Sequence, residues 1–176
     1  VDEKLQLQAV QAAQDAEVAV IFAGLPSAFE AEGSDRETLA IPENQNRLIR
    51  AVCGVQPNTV VVFHAGSPVV MPWRDDTAAL LYMYLGGQSV GEAAVDLLFG
   101  DVNPSGRLAE TFPLRLEDTP CWLDFPGVDD EVQYSEGVYI GYRWYDKRAI
   151  PVQYPFGYGL SYTAFRYDGL SLSTNR

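Results

Sequence analysis

Two near-continuous apolar runs constrain this chain more than anything else in it. Glu17 to Gly24 reads Glu-Val-Ala-Val-Ile-Phe-Ala-Gly, and Asn58 to Ala65 reads Asn-Thr-Val-Val-Val-Phe-His-Ala. Runs of this length, β-branched and closed by Gly-containing turns, fit parallel strands covered on both faces better than the alternating pattern of a half-solvated antiparallel sheet. Between them, Ile41-Pro42-Glu43-Asn44-Gln45 has the marks of a helix start. Pro sits in the first turn, where its missing N–H is harmless, and Glu43 lies near the positive end of the helix dipole. Leu48, Ile49, Val52 and Cys53 form an apolar stripe, with Gly54 as the stop. Strand, helix, strand is a right-handed βαβ unit, in which the first strand is expected to be central and covered on both faces.

The same alternation extends on both sides. Residues 3 to 16 place Leu5, Ala9, Ala12, Ala13 and Ala16 on one side of a helix suited to packing on a sheet. Ala78 to Tyr84 is a third strand candidate, and a helix is expected from Val90 to Phe99 with Ala93, Ala94, Leu97 and Leu98 on one face. From Gly100 onward the chain is aromatic and rich in Pro and Gly, with short β-like runs, and is expected to wrap the sheet. No repeat or low-complexity linker divides it. The expected fold is therefore one α/β domain over residues 1–176, a mostly parallel sheet sandwiched between helices with an irregular aromatic-rich C-terminal wrap.

Several functions are disfavoured by composition. A net charge of −12, with only 12 Lys plus Arg, leaves no basic surface for tracking phosphates, so no nucleic-acid partner is expected. No apolar stretch of about 18 residues is available to span a bilayer, so no membrane partner is expected either. The N-terminal Val-Asp-Glu-Lys lacks signal-peptide features, which slightly favours the cytoplasm, although a piece cut from a longer protein would read the same way. Cys53 and Cys121 have no CxxC or His partner at metal spacing, and neither GxGxxG nor GxxxxGK[ST] follows any strand. No metal or cofactor is expected. His64, the sole histidine, lies among apolar strand residues, so an activated-Ser triad could be built only around it, and a core role fits it better.

Carboxylates remain. Phe29 to Glu37, Phe-Glu-Ala-Glu-Gly-Ser-Asp-Arg-Glu, directly follows the first apolar run, and the carboxyl end of a parallel strand is where an α/β protein presents an acid or base to a ligand. Glu30 and Glu32 are two apart in an irregular loop. One of them can turn into a cleft while the other faces solvent or an ion partner such as Arg36, and the local sequence does not choose between them. Read locally, the loop is a solvated acidic turn.

Five blocks in order change that reading. They are Glu-Ala-Glu-Gly-Ser-Asp-Arg-Glu-Thr-Leu-Ala-Ile-Pro at 30 to 42, Ala-Gly-Ser-Pro-Val-Val-Met-Pro-Trp at 65 to 73, Phe-Gly-Asp-Val-Asn-Pro-Ser-Gly-Arg-Leu at 99 to 108, Tyr-Ser-Glu-Gly-Val-Tyr-Ile-Gly-Tyr-Arg at 134 to 143, and Tyr-Pro-Phe-Gly-Tyr-Gly-Leu-Ser-Tyr-Thr-Ala-Phe at 154 to 165. Together they resemble glycoside hydrolase family 3, specifically its C-terminal α/β sandwich domain.

The resemblance implies a β-glucosidase-like, retaining exo-β-glycosidase that hydrolyses terminal β-linked sugars without metal or cofactor. It implies a (β/α)8 barrel that carries an Asp nucleophile and is absent from this chain, so that the chain is a fragment of a larger glycosidase and inactive alone. The general acid/base carried over is the Glu directly before Gly, Glu32, with Glu30 as the runner-up. Related sequences often place Tyr or Phe after the Glu-Gly pair where this chain has Ser34, which would weaken stacking on an aglycone sugar. Asp35 and Arg36 are expected to form an ion pair bracing the loop. Trp73, Trp122 and Trp144 are candidate sugar platforms, with core packing expected for at least two. The alternative is a non-catalytic module that binds carbohydrate or docks a partner domain.

Overall fold

The computed structural model describes residues 2–173. A three-stranded parallel sheet, in the order β1-β2-β3, is built from β1 (Ala19–Gly24), β2 (Thr59–His64) and β3 (Ala79–Tyr82). Its register pairs Ala19 with Thr59 through Gly24 with His64, and Val60 with Ala79 through Phe63 with Tyr82. Helix α1 (Glu3–Gln14) precedes β1, α2 (Glu43–Cys53) joins β1 to β2, and α3 (Val90–Phe99) follows β3, each where the apolar periodicity predicts a helix. A loop with a single 3-10 turn at Arg74–Asp76 joins β2 to β3.

Local chemistry sets the helix ends. Asp2 caps α1, its carboxylate accepting from the backbone N–H groups of Lys4 and Leu5 at 3.0 and 3.2 Å. Pro42 occupies the cap position of α2, and Gly100 ends α3 in the left-handed conformation at φ 79°. The amide of Gln56 ties the end of α1 to the sheet layer by donating to the carbonyls of Ala13 (3.2 Å) and Ala16 (2.6 Å).

Two expectations need correction. Helix α1 lies beside α2, burying Ala13 fully and Gln6, Ala9 and Val10 in part, while Leu5, Ala12 and Ala16 stay exposed. Its contact stripe is thus rotated from the alanine-rich face, because a neighbouring helix rather than the sheet receives it. Strand β1 is not central. It lies at one edge, and Val20 and Phe22 on one of its faces are 43% and 61% exposed. Burial on both faces belongs to β2, where Val61, Val62 and Phe63 are all inaccessible.

The core forms where one face of the sheet meets α2 and the loops that follow the strands. Val61 and Phe63 pack with Ile49, Ile41, Val69, Met71, Trp73 and Phe112, all almost fully buried. Each large apolar side chain removed from water here contributes about 1.5–3 kcal/mol. Aromatic rings continue the layer: Phe63 stacks on Tyr82 at 5.6 Å between centroids, and Tyr82 meets Phe112 edge-on at 4.9 Å.

Phe112 begins the C-terminal wrap, which contains an antiparallel pair, β4 (Phe112–Pro113) with β5 (Val152–Tyr154), and a short helix α4 (Tyr142–Arg148). One side chain fastens the wrap to the core. Buried Gln153 donates to the carbonyls of Val69 (3.0 Å) and Pro113 (2.6 Å) and accepts from the Met71 N–H (2.9 Å). The fold class is the α/β one expected, a parallel sheet with helices and an aromatic-rich wrap.

Candidate active site

The acidic loop leaves β1 at Gly24, and that exit point is held firmly. The Gln45 side chain of α2 brackets Gly24, accepting from its N–H at 3.1 Å and donating to its carbonyl at 2.8 Å. A Cβ at position 24 would lie 2.5 Å from the His64 carbonyl oxygen, so only glycine permits this approach of β1 to β2. His64 itself is the half-buried last residue of β2.

Beyond a turn in which the Phe29 N–H donates to the Pro26 carbonyl, the loop folds back on itself. An isolated antiparallel bridge joins Ala31 to Ser34, placing Glu32 and Gly33 at the tip, with Gly33 at φ 83°. Glu32 is exposed, with no hydrogen-bond partner for its side chain among the described residues. Glu30, two residues earlier, is half-buried and turned inward. Both of its carboxylate oxygens accept from the Gly66 N–H, at 2.8 and 2.9 Å, and the Ser67 hydroxyl stands 3.5 Å from one of them. The structure therefore separates the two carboxylates by environment, one at the solvent-facing tip and the other on backbone.

Arg36 does not form the expected ion pair with Asp35. It turns to the segment that follows β2, donating from Nη1 to Ser67 Oγ at 2.9 Å and to the Pro68 carbonyl at 3.0 Å. Nη1 thus makes both bonds, whereas the buried Nη2 has no hydrogen-bond partner among the described residues. Burial lowers the Arg36 guanidinium from its ordinary value, while the charge of Glu30 and the Tyr82 phenol act the other way. The Tyr82 hydroxyl donates to the Ser67 carbonyl at 2.7 Å, and desolvation holds that phenol above its usual range. A last pin lies downstream, where the Val70 N–H donates to the Leu39 carbonyl at 2.8 Å and Ala40 bridges Val70.

Next to this loop, through Leu39 and Pro68, opens a cavity of about 510 Å³ with Glu110, Arg143, Tyr145 and Phe156 among its lining residues. Burial pushes the Glu110 carboxyl up from its ordinary value, and the Tyr145 phenol up to about 12, with Asp118 a smaller influence on the latter. Of the tryptophans, Trp73 is fully buried, Trp144 is half-buried with its N–H on the Asp118 carbonyl at 3.0 Å, and Trp122 is 44% exposed. Core or structural packing thus accounts for Trp73 and Trp144. Among the described residues, no three His, Cys, Asp or Glu side chains gather as metal ligands would, and no helix is long and apolar enough to cross a membrane.

Glu30, Glu32 and Arg36 are expected in the site from the sequence, whereas Gly66, Ser67, Tyr82 and Glu110 join it only in the folded chain. A signal for Gly66 and Ser67 does exist: Gly66-Ser67-Pro68 follows β2 at the end of the sheet from which the acidic loop leaves β1, and parallel neighbours bring those two exits together.

Comparison with known proteins agrees with this architecture. The model of the glycosyl hydrolase family 3 C-terminal domain matches residues 3–162. A thermostable beta-glucosidase B from Acetivibrio thermocellus is 56% identical over 172 residues, covering 98% of this chain and 23% of that protein. The crystal structure of a Bifidobacterium adolescentis beta-glucosidase superposes with a TM-score of 0.93 at 45% identity, over 97% of this chain and 26% of that one. A beta-glucosidase from Kluyveromyces marxianus, solved in complex with glucose, gives 0.90 at 42% identity, over 94% of this chain and 20% of that one. The chain thus spans about a quarter or less of the length of these relatives. With the matched model running over nearly its whole length, the chain belongs to glycoside hydrolase family 3, as that family's C-terminal domain.

Proposed function

We propose that these 176 residues form one domain of a β-glucosidase-like, retaining exo-β-glycosidase, and that Glu32 is its general acid/base. The observation that supports this most is the division of labour in the acidic loop. Glu30 is engaged by the Gly66 N–H, whereas Glu32, at the tip of a two-residue turn, has no hydrogen-bond partner among the described residues. A free carboxyl at the tip of a braced loop is suited to reach a substrate held by another part of the protein.

The chemistry needs two carboxyl groups about 5 to 5.5 Å apart. In the proposed sequence, an Asp on a (β/α)8 barrel outside this chain attacks the anomeric carbon of a terminal β-linked sugar. Protonated Glu32 gives its proton to the glycosidic oxygen as that C–O bond breaks. The aglycone leaves as an alcohol, and the sugar stays bonded to the Asp as an ester. Glu32, now a carboxylate, takes a proton from water, whose oxygen attacks the anomeric carbon and frees the Asp. Two inversions give net retention. No metal or cofactor enters the atom balance. The chain alone lacks the nucleophile and is inactive.

The test uses the full-length enzyme with Glu32→Ala. General acid/base catalysis is worth about 10²–10⁴-fold, so kcat/KM on a glucoside with a poor leaving group should fall within that range. A dinitrophenyl glucoside, which departs without a proton, should keep its kcat/KM, and azide should yield a glycosyl azide of retained configuration. Wild-type turnover on the poor leaving group, with no azide product, overturns the assignment.

A further inference from the structure

The tip that carries Glu32 is held from both sides by one short turn of another strand. Glu30, two residues before Glu32, takes the Gly66 N–H on both carboxylate oxygens. Arg36, four residues after it, donates to Ser67 Oγ and to the Pro68 carbonyl. Tyr82 closes the same turn from β3 through the Ser67 carbonyl. Between the two anchors, the Ala31–Ser34 bridge leaves little freedom except at Glu32 and Gly33. Position 66 is fitted to this contact, because a Cβ there would stand 2.8 Å from Glu30 Oε1 and 3.3 Å from its Cδ.

We propose that Glu30 is the positioning residue for Glu32: its carboxylate on the Gly66 N–H, with Arg36 on Ser67 and Pro68, fixes the height and direction from which the acid meets the glycosidic oxygen. This rests on the acid/base reading of Glu32. A loop tip secured on one side only would swing about its free anchor, and proton donation is acutely sensitive to such swings. A misplacement of about 1 Å far from the reacting atoms can cost about 10²-fold in rate. A carboxylate also suits this anchor better than an amide would, because both of its oxygens accept and neither presents a donor to the Gly66 N–H.

The experiment compares three variants of the full-length enzyme, Glu32→Ala, Glu30→Ala and Gly66→Ala. Each is assayed as kcat/KM on phenyl and on 2,4-dinitrophenyl β-glucoside, with and without azide. Gly66→Ala displaces the Glu30 carboxylate without removing any ionisable group. Glu30→Ala and Gly66→Ala are both expected to lose about 10- to 100-fold on the phenyl substrate. Both should stay within about 3-fold of wild type on the dinitrophenyl substrate, which needs no proton, and neither should form glycosyl azide.

A reduced folded fraction lowers both substrates equally, so the ratio within one variant separates positioning from stability. Equal losses on both substrates, or wild-type rates on both, overturn the proposal. Glycosyl azide from Glu30→Ala overturns it too, by moving the acid role to Glu30. Glu32→Ala answers separately for the acid/base reading: if it shows neither leaving-group dependence nor azide product, that reading fails whatever the other two variants do.

Discussion

The indole N–H of Trp73 donates to Asn46 Oδ1 at 2.9 Å inside the core, and the Asn46 amide reaches Glu43 Oε2 at 3.2 Å. Trp73 is inaccessible and Asn46 only 7% exposed, so neither group has water as a substitute partner. Asn46→Leu should cost about 1–3 kcal/mol, the penalty of a stranded buried donor. In the Trp73→Phe background, which has no donor, the same change should cost at least about 1 kcal/mol less. Urea unfolding midpoints of the four proteins measure that coupling.

Gln153 joins three backbone groups from two segments, and Gln153→Leu should strand all of them. A loss of about 3 kcal/mol is expected, with the melting temperature falling accordingly. Gln153→Glu makes a sharper test. Its carboxylate would face the Val69 and Pro113 carbonyls, so the native state would hold the proton to higher pH than the unfolded chain does. A folded-state value raised above the unfolded one gives stability that is present at low pH and lost as pH rises through the native value. The melting temperature of this variant should approach wild type near pH 4 and fall away by pH 7.

Glu110 already has this sign in the natural chain, since burial raises its carboxyl above the ordinary value. Its contribution is intact below the unfolded value and is withdrawn as pH climbs through the native one. Thermal melts from pH 4 to pH 8 should therefore show wild type losing ground to Glu110→Gln as pH rises. A gap that stays constant with pH would contradict the direction of the shift.

Calorimetry on the isolated chain bears on the divided active site. With the nucleophile and the sugar pocket proposed to lie on another domain, titration with glucose or cellobiose should give no binding heat. A measurable affinity would favour a self-sufficient carbohydrate-binding module instead.

Much of this fold could be read from the residues, for stated reasons. The α3 boundaries follow from the apolar stripe over Val90–Phe99 and the change of composition at Gly100, and β1, β2 and β3 each lie inside their apolar runs. The edge position of β1 could not be read, because a continuous apolar run reports the capacity to be covered on both faces and not whether neighbours are present. The rotated face of α1 escaped for a related reason: Ala12 and Ala16 suit a contact face as well as Ala9 and Ala13 do, and only the tertiary neighbour selects between them. In the site, Glu30 and Glu32 are chemically identical. The Gly66 N–H distinguishes them, and its arrival 36 residues downstream is a matter of topology rather than local pattern. Adjacency alone pairs Arg36 with Asp35, whereas the strand exits bring Ser67 and Pro68 within its reach.

The edge strand has a practical consequence for anyone handling this chain by itself. Among the described residues nothing pairs with the outer side of β1, and Phe22 and Val20 lie bare beside that row of unpaired N–H and carbonyl groups. Such an edge is a template onto which a second copy can add its own strand. The counterweight is the net charge of −12, which keeps like molecules apart. Added salt removes that protection, since the screening length shrinks from about 10 Å at 0.1 M to about 3 Å at 1 M. Solutions of the chain should therefore remain clear in dilute buffer and cloud in concentrated salt, with light scattering rising before any loss of helical signal.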